Sequence, residues 1–173
     1  VIQTSLRSGD LLSRFGGEHV TEAGNASRTQ LLNVQTVDWE PDLLALFNIP
    51  RQALPTVRPS NGPFPAVCGL DPLPDGVPVL AVMGDSHSAL FAHGAFESGE
   101  VKATLGTGSS IMGLVDHAET RADTGLCLTI GWQLERVAYA AEGNVRSCGS
   151  TLRWLAKLFG STPEALADEG ATA

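Results

Sequence analysis

The chain has 173 residues, 43% of them apolar, and a formal net charge of −8. That is enough apolar material for one domain or two small ones. It carries no basic footprint for nucleic acid, and no apolar run reaches the ~18 residues of a membrane span, so both partner classes are set aside.

Residues 8–15, SGDLLSRF, read as a short helix closed by Gly16-Gly17. The start has neither Met nor a basic-then-apolar signal layout, and is expected to lie inside a longer protein. NASRTQLLNVQT, residues 25–36, puts apolar residues on a helical stripe with Asn25 or Ser27 as cap. In DWEPDLLALFNI, Asp38 can cap, Pro41 falls in the first turn, and Leu43, Leu44, Leu46 and Phe47 form the buried face. Residues 50–78 hold eight of the ten prolines and read as a loop-rich connection with one short edge strand. VPVLAVMG, residues 77–84, is an apolar run of strand length, expected to be covered on both faces.

DSHSALFAHGAF begins a helix at Asp85, and FESGE turns the chain. VKATLGTGSSIMGLV reads as two strands joined at Gly-Thr-Gly-Ser, followed by a polar loop, DHAETRADTG. LCLTIGWQ and RVAYAAEG form a hairpin across LER, and SCGSTLRWLAKLFG an amphipathic helix. The tail GSTPEALADEGATA is expected to hold no concluding element. A boundary between a mainly helical half and a strand-rich half is placed at residues 97–101. Cys68, Cys127 and Cys148 are dispersed and odd in number, which fits reduced, buried thiols in a cytoplasmic protein.

Two turns carry chemistry. Asp85 opens a helix after an apolar run. It can cap the first helical N–H groups, or stand exposed at a strand's carboxyl end and accept a proton from a substrate hydroxyl. The two readings are compatible. GTGSS, residues 106–110, is either a plain hairpin turn or a phosphate cradle. In the cradle, Gly106 and Gly108 let the backbone approach a ligand, while Thr107, Ser109 and the N–H groups donate. Mg2+ would neutralise the remaining charge. No Walker A pattern occurs. Gly143 and Gly149 flank a helix start after a strand, where a nucleotide can come close or packing is merely relaxed.

Three segments in order resemble the FGGY family of carbohydrate kinases. HVTEAGNASRTQLLNVQTVDWEPDLLALFNIPRQALPTV is similar to its T-D-x-x-N-A-S-R-T stretch and the W-D…L…I-P…L-P that follows. MGDSHSALFAHGAFESGEVKATLGTGSS is similar to its G-D-Q-Q-A-A-L-x-G-x-G with a G-T-G hairpin. GWQLERVAYAAEGNVRSCGSTLRWL is similar to its W-x-L…Y-x-x-E-G…G…W-L.

The resemblance implies an α/β, actin/ribonuclease-H-like fold whose two domains close on sugar and ATP. Residues 1–98 would be the end of the first, sugar-binding domain, and residues 99–173 the opening of the second, nucleotide-binding one. It implies ATP-dependent phosphorylation of a hydroxyl on a pentulose, a hexulose or a glycerol-like polyol, with ATP and Mg2+ as cofactors and no metal ligand from the chain itself. Asp85 matches the catalytic base. Ser86 and His87 stand where relatives carry Gln-Gln beside the sugar, so the particular substrate is not inherited. Gly106, Thr107 and Gly108 match the loop that meets the ATP phosphates, and Gly149 and Arg153 fall where relatives line the nucleotide site. A homo-oligomer is left open. The family's D-x-G-T phosphate loop is absent, and DTGL at 123–126 is a poor substitute, so the isolated chain is expected not to phosphorylate sugars. The alternative is a kinase-like module that binds nucleotide or a partner without turnover. GDS also opens the GDSL-type esterases, with Ser86 as nucleophile, but no D-x-x-H follows it. His87 and His93 lie on different faces of a helix and make no metal pair.

Overall fold

The computed structural model describes residues 6–118 and 125–172. Helix α1 (Leu6–Gly16) starts two residues earlier than predicted and stops at Gly17, whose φ of 73° suits glycine. Strand β1 (Val20–Glu22) runs straight into α2 (Ala23–Ser27). Strands β2 (Leu32–Asn33) and β3 (Asp38–Trp39) pair antiparallel. The predicted helix over 25–36 is therefore replaced by a short helix and a hairpin. The Ser27 and Thr29 hydroxyls bond back to the carbonyls of Gly24 and Ala26, both at 2.7 Å, and Gln30 turns left-handed at φ 60°. Together they end the helix. Neither Asn25 nor Ser27 caps α2. Glu22 does, accepting from the N–H groups of Gly24 and Asn25 at 2.8 Å each.

Helix α3 (Pro41–Leu46) follows, with Pro41 in its first turn and Glu40, not Asp38, at the cap position. Asp38 lies in β3 and accepts from its own neighbour, Trp39 N, at 2.8 Å. Leu44 is buried and Leu43 half-buried, but Leu46 and Phe47 are exposed. The helix has ended by Phe47, and Asn48 at φ 54° reverses the chain so that Ile49 takes the packed place. The proline-rich stretch behaves as expected: a 3-10 turn at Arg51–Ala53, edge strand β4 (Thr56–Arg58) parallel to β1, and a bridge from Val67 to Val77. VPVLAVMG is not a strand. Pro78 has no N–H to give, no strand among the described residues lies beside the run, and Leu80 is exposed. Val82 N, bonded to Ser60 O at 3.0 Å, ties the run down.

Helix α4 (Asp85–Ala92) leads to the large sheet. Its strands are β5 (Val101–Leu105), β6 (Ser109–Val115), β7 (Cys127–Gln133) and β8 (Val137–Val145), in the order β5-β6-β8-β7 with every pair antiparallel. Helices α5 (Gly149–Phe159) and α6 (Pro163–Thr172) close the chain. The tail thus does hold an element: Thr162 Oγ1 accepts from Ala165 N at 3.2 Å, and Pro163 and Glu164 suit a first turn. Asp123 and Thr124 of DTGL lie outside the described residues.

Two apolar clusters draw on both sides of residues 97–101. One joins Ala23, Ala26, Leu31, Leu32, Trp39 and Leu44 to Ile130 of β7. The other joins Leu90 and Ala95 to Met112, Leu114, Trp132 and Ala140 of the sheet. The cysteines are not the buried hydrophobes expected: Cys68 and Cys148 are exposed in loops and Cys127 is half-buried, all of them free.

Candidate nucleotide and acceptor site

The turn between β5 and β6 is docked on the start of α5. Gly106 O accepts from Gly149 N at 2.9 Å. Thr107 O accepts from Cys148 N at 3.0 Å, from Ser150 N at 3.2 Å and from Ser150 Oγ at 3.0 Å. Arg153 Nη2 lies 3.4 Å from Thr107 Oγ1. The positive end of α5 is therefore spent on hairpin carbonyls, and what remains outward is the Thr107 hydroxyl beside the Arg153 guanidinium. A Cβ on Gly149 would stand 2.6 Å from Gly106 O, and one on Gly108 2.9 Å from Val145 O. Gly149 is required by the docking on α5, and Gly108 by the close passage of the hairpin over the end of β8. Five predicted residues, Gly106, Thr107, Gly108, Gly149 and Arg153, thus meet in one cluster. Ser109 begins β6, with its Oγ buried and unpartnered among the described residues.

Asp85 is exposed in the first turn of α4, and its Oδ1 accepts from Ser86 N at 2.7 Å, which leaves Oδ2 for another donor. Ser86 is half-buried and His87 fully buried. The His87 ring points into the body of the protein, with Nε2 3.5 Å from Thr129 Oγ1. Thr129 Oγ1 lies 2.6 Å from Ser27 Oγ, which donates to Gly24 O at 2.7 Å and accepts from Ile130 N at 3.0 Å. One proton per hydroxyl then orders the chain: His87 Nε2–H to Thr129, Thr129 to Ser27, Ser27 to Gly24. Burial, followed by the Arg28 charge, lowers the His87 pKa to about 4.

Sequence reasoning missed the residues that lock this seam. Glu22 is fully buried and also accepts from Asn25 Nδ2 at 2.8 Å and Ser60 Oγ at 2.5 Å, while Ser60 Oγ in turn accepts from Gln133 N at 2.9 Å. Burial raises the Glu22 carboxyl above its ordinary 4.5, against those hydrogen bonds. Glu142 of β8 accepts from Ser110 Oγ at 2.7 Å and pairs with Arg28 at the end of α2. The visible signal was the motif around Glu22 and Arg28, to which no role was attached. Among the described residues no three His, Cys, Asp or Glu side chains converge as a metal cage.

The mixed α/β arrangement is that of sugar kinases with an actin-like ATPase fold. It superposes on a Plasmodium falciparum glycerol kinase with ADP at a TM-score of 0.79 and 28% identity, covering 87% of this chain and 31% of that one. A xylulose kinase from Rhodospirillum rubrum gives 0.72 at 30% identity, covering 84% and 30%. The N-terminal domain of the FGGY family of carbohydrate kinases matches residues 5–92, and the chain belongs to that family. Apulose kinase of Pectobacterium atrosepticum is 44% identical over 142 residues, 81% of this chain and 28% of that protein. Glycerol kinase of Thermococcus kodakarensis is 44% identical over 146 residues, 84% and 29%. The chain spans under a third of the length of these relatives.

Two measurements test the geometry. Gly149→Ala forces the hairpin off α5 and should lower stability by about 1–3 kcal/mol in urea unfolding; an unchanged midpoint would show that the docking is not tight. The neutral His87 ring makes stability pH-dependent. Between pH 6.5 and about 4 the unfolded chain binds a proton that the fold refuses. Stability is therefore whole above pH 6.5 and falls as pH drops toward 4, by on the order of 3 kcal/mol in all. Glu22 acts with the opposite sign, its contribution present below 4.5 and lost as pH rises through its folded value, so variant and parent are compared at each pH. His87→Gln should flatten the slope between pH 6.5 and 5; equal slopes would contradict a buried neutral ring.

Proposed function

We propose that the chain is the central part of an ATP-dependent carbohydrate kinase, with the acceptor activated at Asp85 and the nucleotide phosphates met at residues 106–109. The observation that carries this reading is the hairpin docked on α5, which gathers Thr107 and Arg153 at one exposed point. Phosphoryl transfer needs positioning and charge neutralisation rather than a protein nucleophile, and this is the equipment present. Asp85 Oδ2 takes the proton of the attacking hydroxyl. Ser86, half-buried beside it, offers a small hydroxyl to the acceptor. Gly106 and Gly108 bring backbone close to the phosphates, with Ser109 at the foot of the turn and Gly149 supporting it. His87 supports the acceptor side from below, through Thr129. Magnesium, carried in by the nucleotide, supplies further positive charge to the phosphates.

In this reading residues 1–98 belong to the acceptor-binding domain and 99–173 to the nucleotide-binding one. The acceptor is a sugar or polyol, as the names of the apulose and glycerol kinase relatives suggest, and the reaction takes place in the cytoplasm. Free thiols at all three cysteines agree with that compartment. Among the described residues no helix is long and apolar enough to cross a membrane. The 173-residue chain by itself should show no turnover, since under a third of the relatives' length is present.

The test uses the full-length protein with ATP and a panel of polyols, pentuloses and hexuloses. Asp85→Asn should cut kcat by about 100-fold or more, the usual share of a general base, with ADP affinity held within about threefold. Full activity in Asp85→Asn would transfer the role of base elsewhere. No turnover of any acceptor by the parent would favour a module that binds without catalysis.

A further inference from the structure

Ser27 and Arg28, neighbours at the end of α2, each send an arm across to the sheet. The Ser27 arm runs through Thr129 Oγ1, at 2.6 Å, to His87 of α4, the helix that Asp85 opens. The Arg28 arm ends elsewhere. Arg28, the C-cap residue of α2, pairs with Glu142 of β8. Glu142 Oε1 in turn accepts from Ser110 Oγ at 2.7 Å. Ser110 is the second residue of β6, next to the turn at 106–109. The end of one short helix is thus tied both to the helix that carries Asp85 and to the hairpin.

Register shows why a side chain is needed there. Met112 lies opposite Glu142 and Ser110 opposite Asn144, so Glu142 reaches diagonally along the inner face of the sheet to Ser110. Apolar packing holds that face as far as Met112, which is buried in the cluster with Leu90 and Trp132. The next row toward the hairpin is polar: Thr104 and Asn144 are exposed and Ser110 is half-buried. Beyond Met112, burial contributes little to where the hairpin stands relative to α2 and α4. Among the described residues, the other hydrogen bonds of residues 106–110 run within the sheet or to α5. Backbone bonds to β5 and β8 already hold Ser110 in its strand, so its hydroxyl is not needed to form β6. Arg28 Nη1 and Glu142 Oε2 are both buried, and among the described residues each has only the other as partner. With Glu142 4% exposed, its carboxylate is committed to Arg28 and Ser110.

We propose that Glu142 is a positioning residue of this kinase: held to Arg28 on one side and Ser110 on the other, it sets the distance between the hairpin that meets the phosphates and the Asp85 carboxylate. The proposal rests on the kinase reading above. Glu142 itself touches neither nucleotide nor acceptor. It acts through Ser110 on the turn at 106–109, and through Arg28 and its neighbour Ser27 on α4. Phosphoryl transfer needs the attacking oxygen, the phosphorus and the leaving oxygen in line. A misplacement of about 1 Å can cost about 100-fold in rate. A carboxylate suits the task because it accepts from both partners at once, and burial keeps water from competing for either bond. A residue serving stability alone would change the amount of folded enzyme and leave kcat per folded molecule where it was.

The test uses the full-length protein, with kcat and ADP affinity measured for each variant on an acceptor that the parent phosphorylates. Ser110→Ala removes the hydroxyl and leaves the strand ladder and the Arg28–Glu142 pair in place. It should lower kcat by about tenfold with ADP affinity within about threefold, because the phosphates are still met but stand out of line. Ser110→Thr, which keeps a hydroxyl on a residue suited to a strand, should regain most of that loss. Glu142→Gln should lower kcat by a similar factor, and in that background Ser110→Ala should cost less than about twofold more. A kcat within about twofold of the parent in Ser110→Ala overturns the proposal, even if Glu142→Gln fails to fold. So does a further loss of about tenfold in the double variant, which would make Ser110 act apart from Glu142. A fall in ADP affinity as large as the fall in kcat also overturns it, since the hydroxyl would then serve binding. Asp85→Asn run alongside keeps the two ideas apart. Activity lost there but kept in Ser110→Ala rejects the positioning role and leaves the kinase standing, while a parent that turns over no acceptor overturns both.

Discussion

One serine hydroxyl, that of Ser27, holds α2 and the Asp85-bearing helix α4 in a fixed relation to the sheet. It closes α2 on Gly24 O, accepts the Ile130 N–H of β7, and meets Thr129, on which His87 of α4 rests. Such a buried network holds its members in place because an unpaired polar group in low dielectric is expensive; the Ser27 and Thr129 hydroxyls are satisfied, while His87 Nδ1 has no partner among the described residues. Glu22 and Ser60 repeat the device alongside, and the Arg28–Glu142 pair does so nearer the hairpin. The apolar clusters supply the cohesive energy. The polar seam sets which strand residue faces which helix residue, and so where Asp85 stands.

The second constraint is backbone against backbone. The Gly106 and Thr107 carbonyls enter the start of α5 at distances that no side chain on Gly149 would permit. A helix N-terminus is a familiar place for phosphate, but here its donors are occupied by the hairpin. The surface proposed to meet the phosphates lies further out, on the hairpin's own residues and Arg153. The chain is acidic overall, so whatever binds a nucleotide here must do it with a few well-placed donors and cations.

Much of this was legible in the sequence, and the failures have physical causes. The strands from 101 to 145 and the hairpin at 106–109 were readable because glycines punctuate alternating runs. Asp85 at the start of α4 followed from its place after an apolar run. Residues 25–36 misled because Ser27 and Thr29 end the helix through side-chain bonds, and Gln30 and Val37 turn left-handed without the glycine that would announce it. VPVLAVMG has the composition of a central strand, but pairing depends on neighbours that composition does not reveal. Glu22 and Lys102 look like ordinary surface charges. Only the long-range partners Ser60 and Gln133 for the one, and burial in a row with Met112 and Glu142 for the other, make them unusual.

In the proposed reading the start of α4 and the β5–β6 hairpin form one reaction centre. A crystal structure of the full-length protein with Mg2+, a non-hydrolysable ATP analogue and a bound polyol reads this directly. A single centre requires a phosphate oxygen in hydrogen-bonding contact with Thr107 and an acceptor hydroxyl on the Asp85 carboxylate, in line with the terminal phosphorus. Phosphates seated away from residues 106–109, or a polyol out of reach of Asp85, would contradict it.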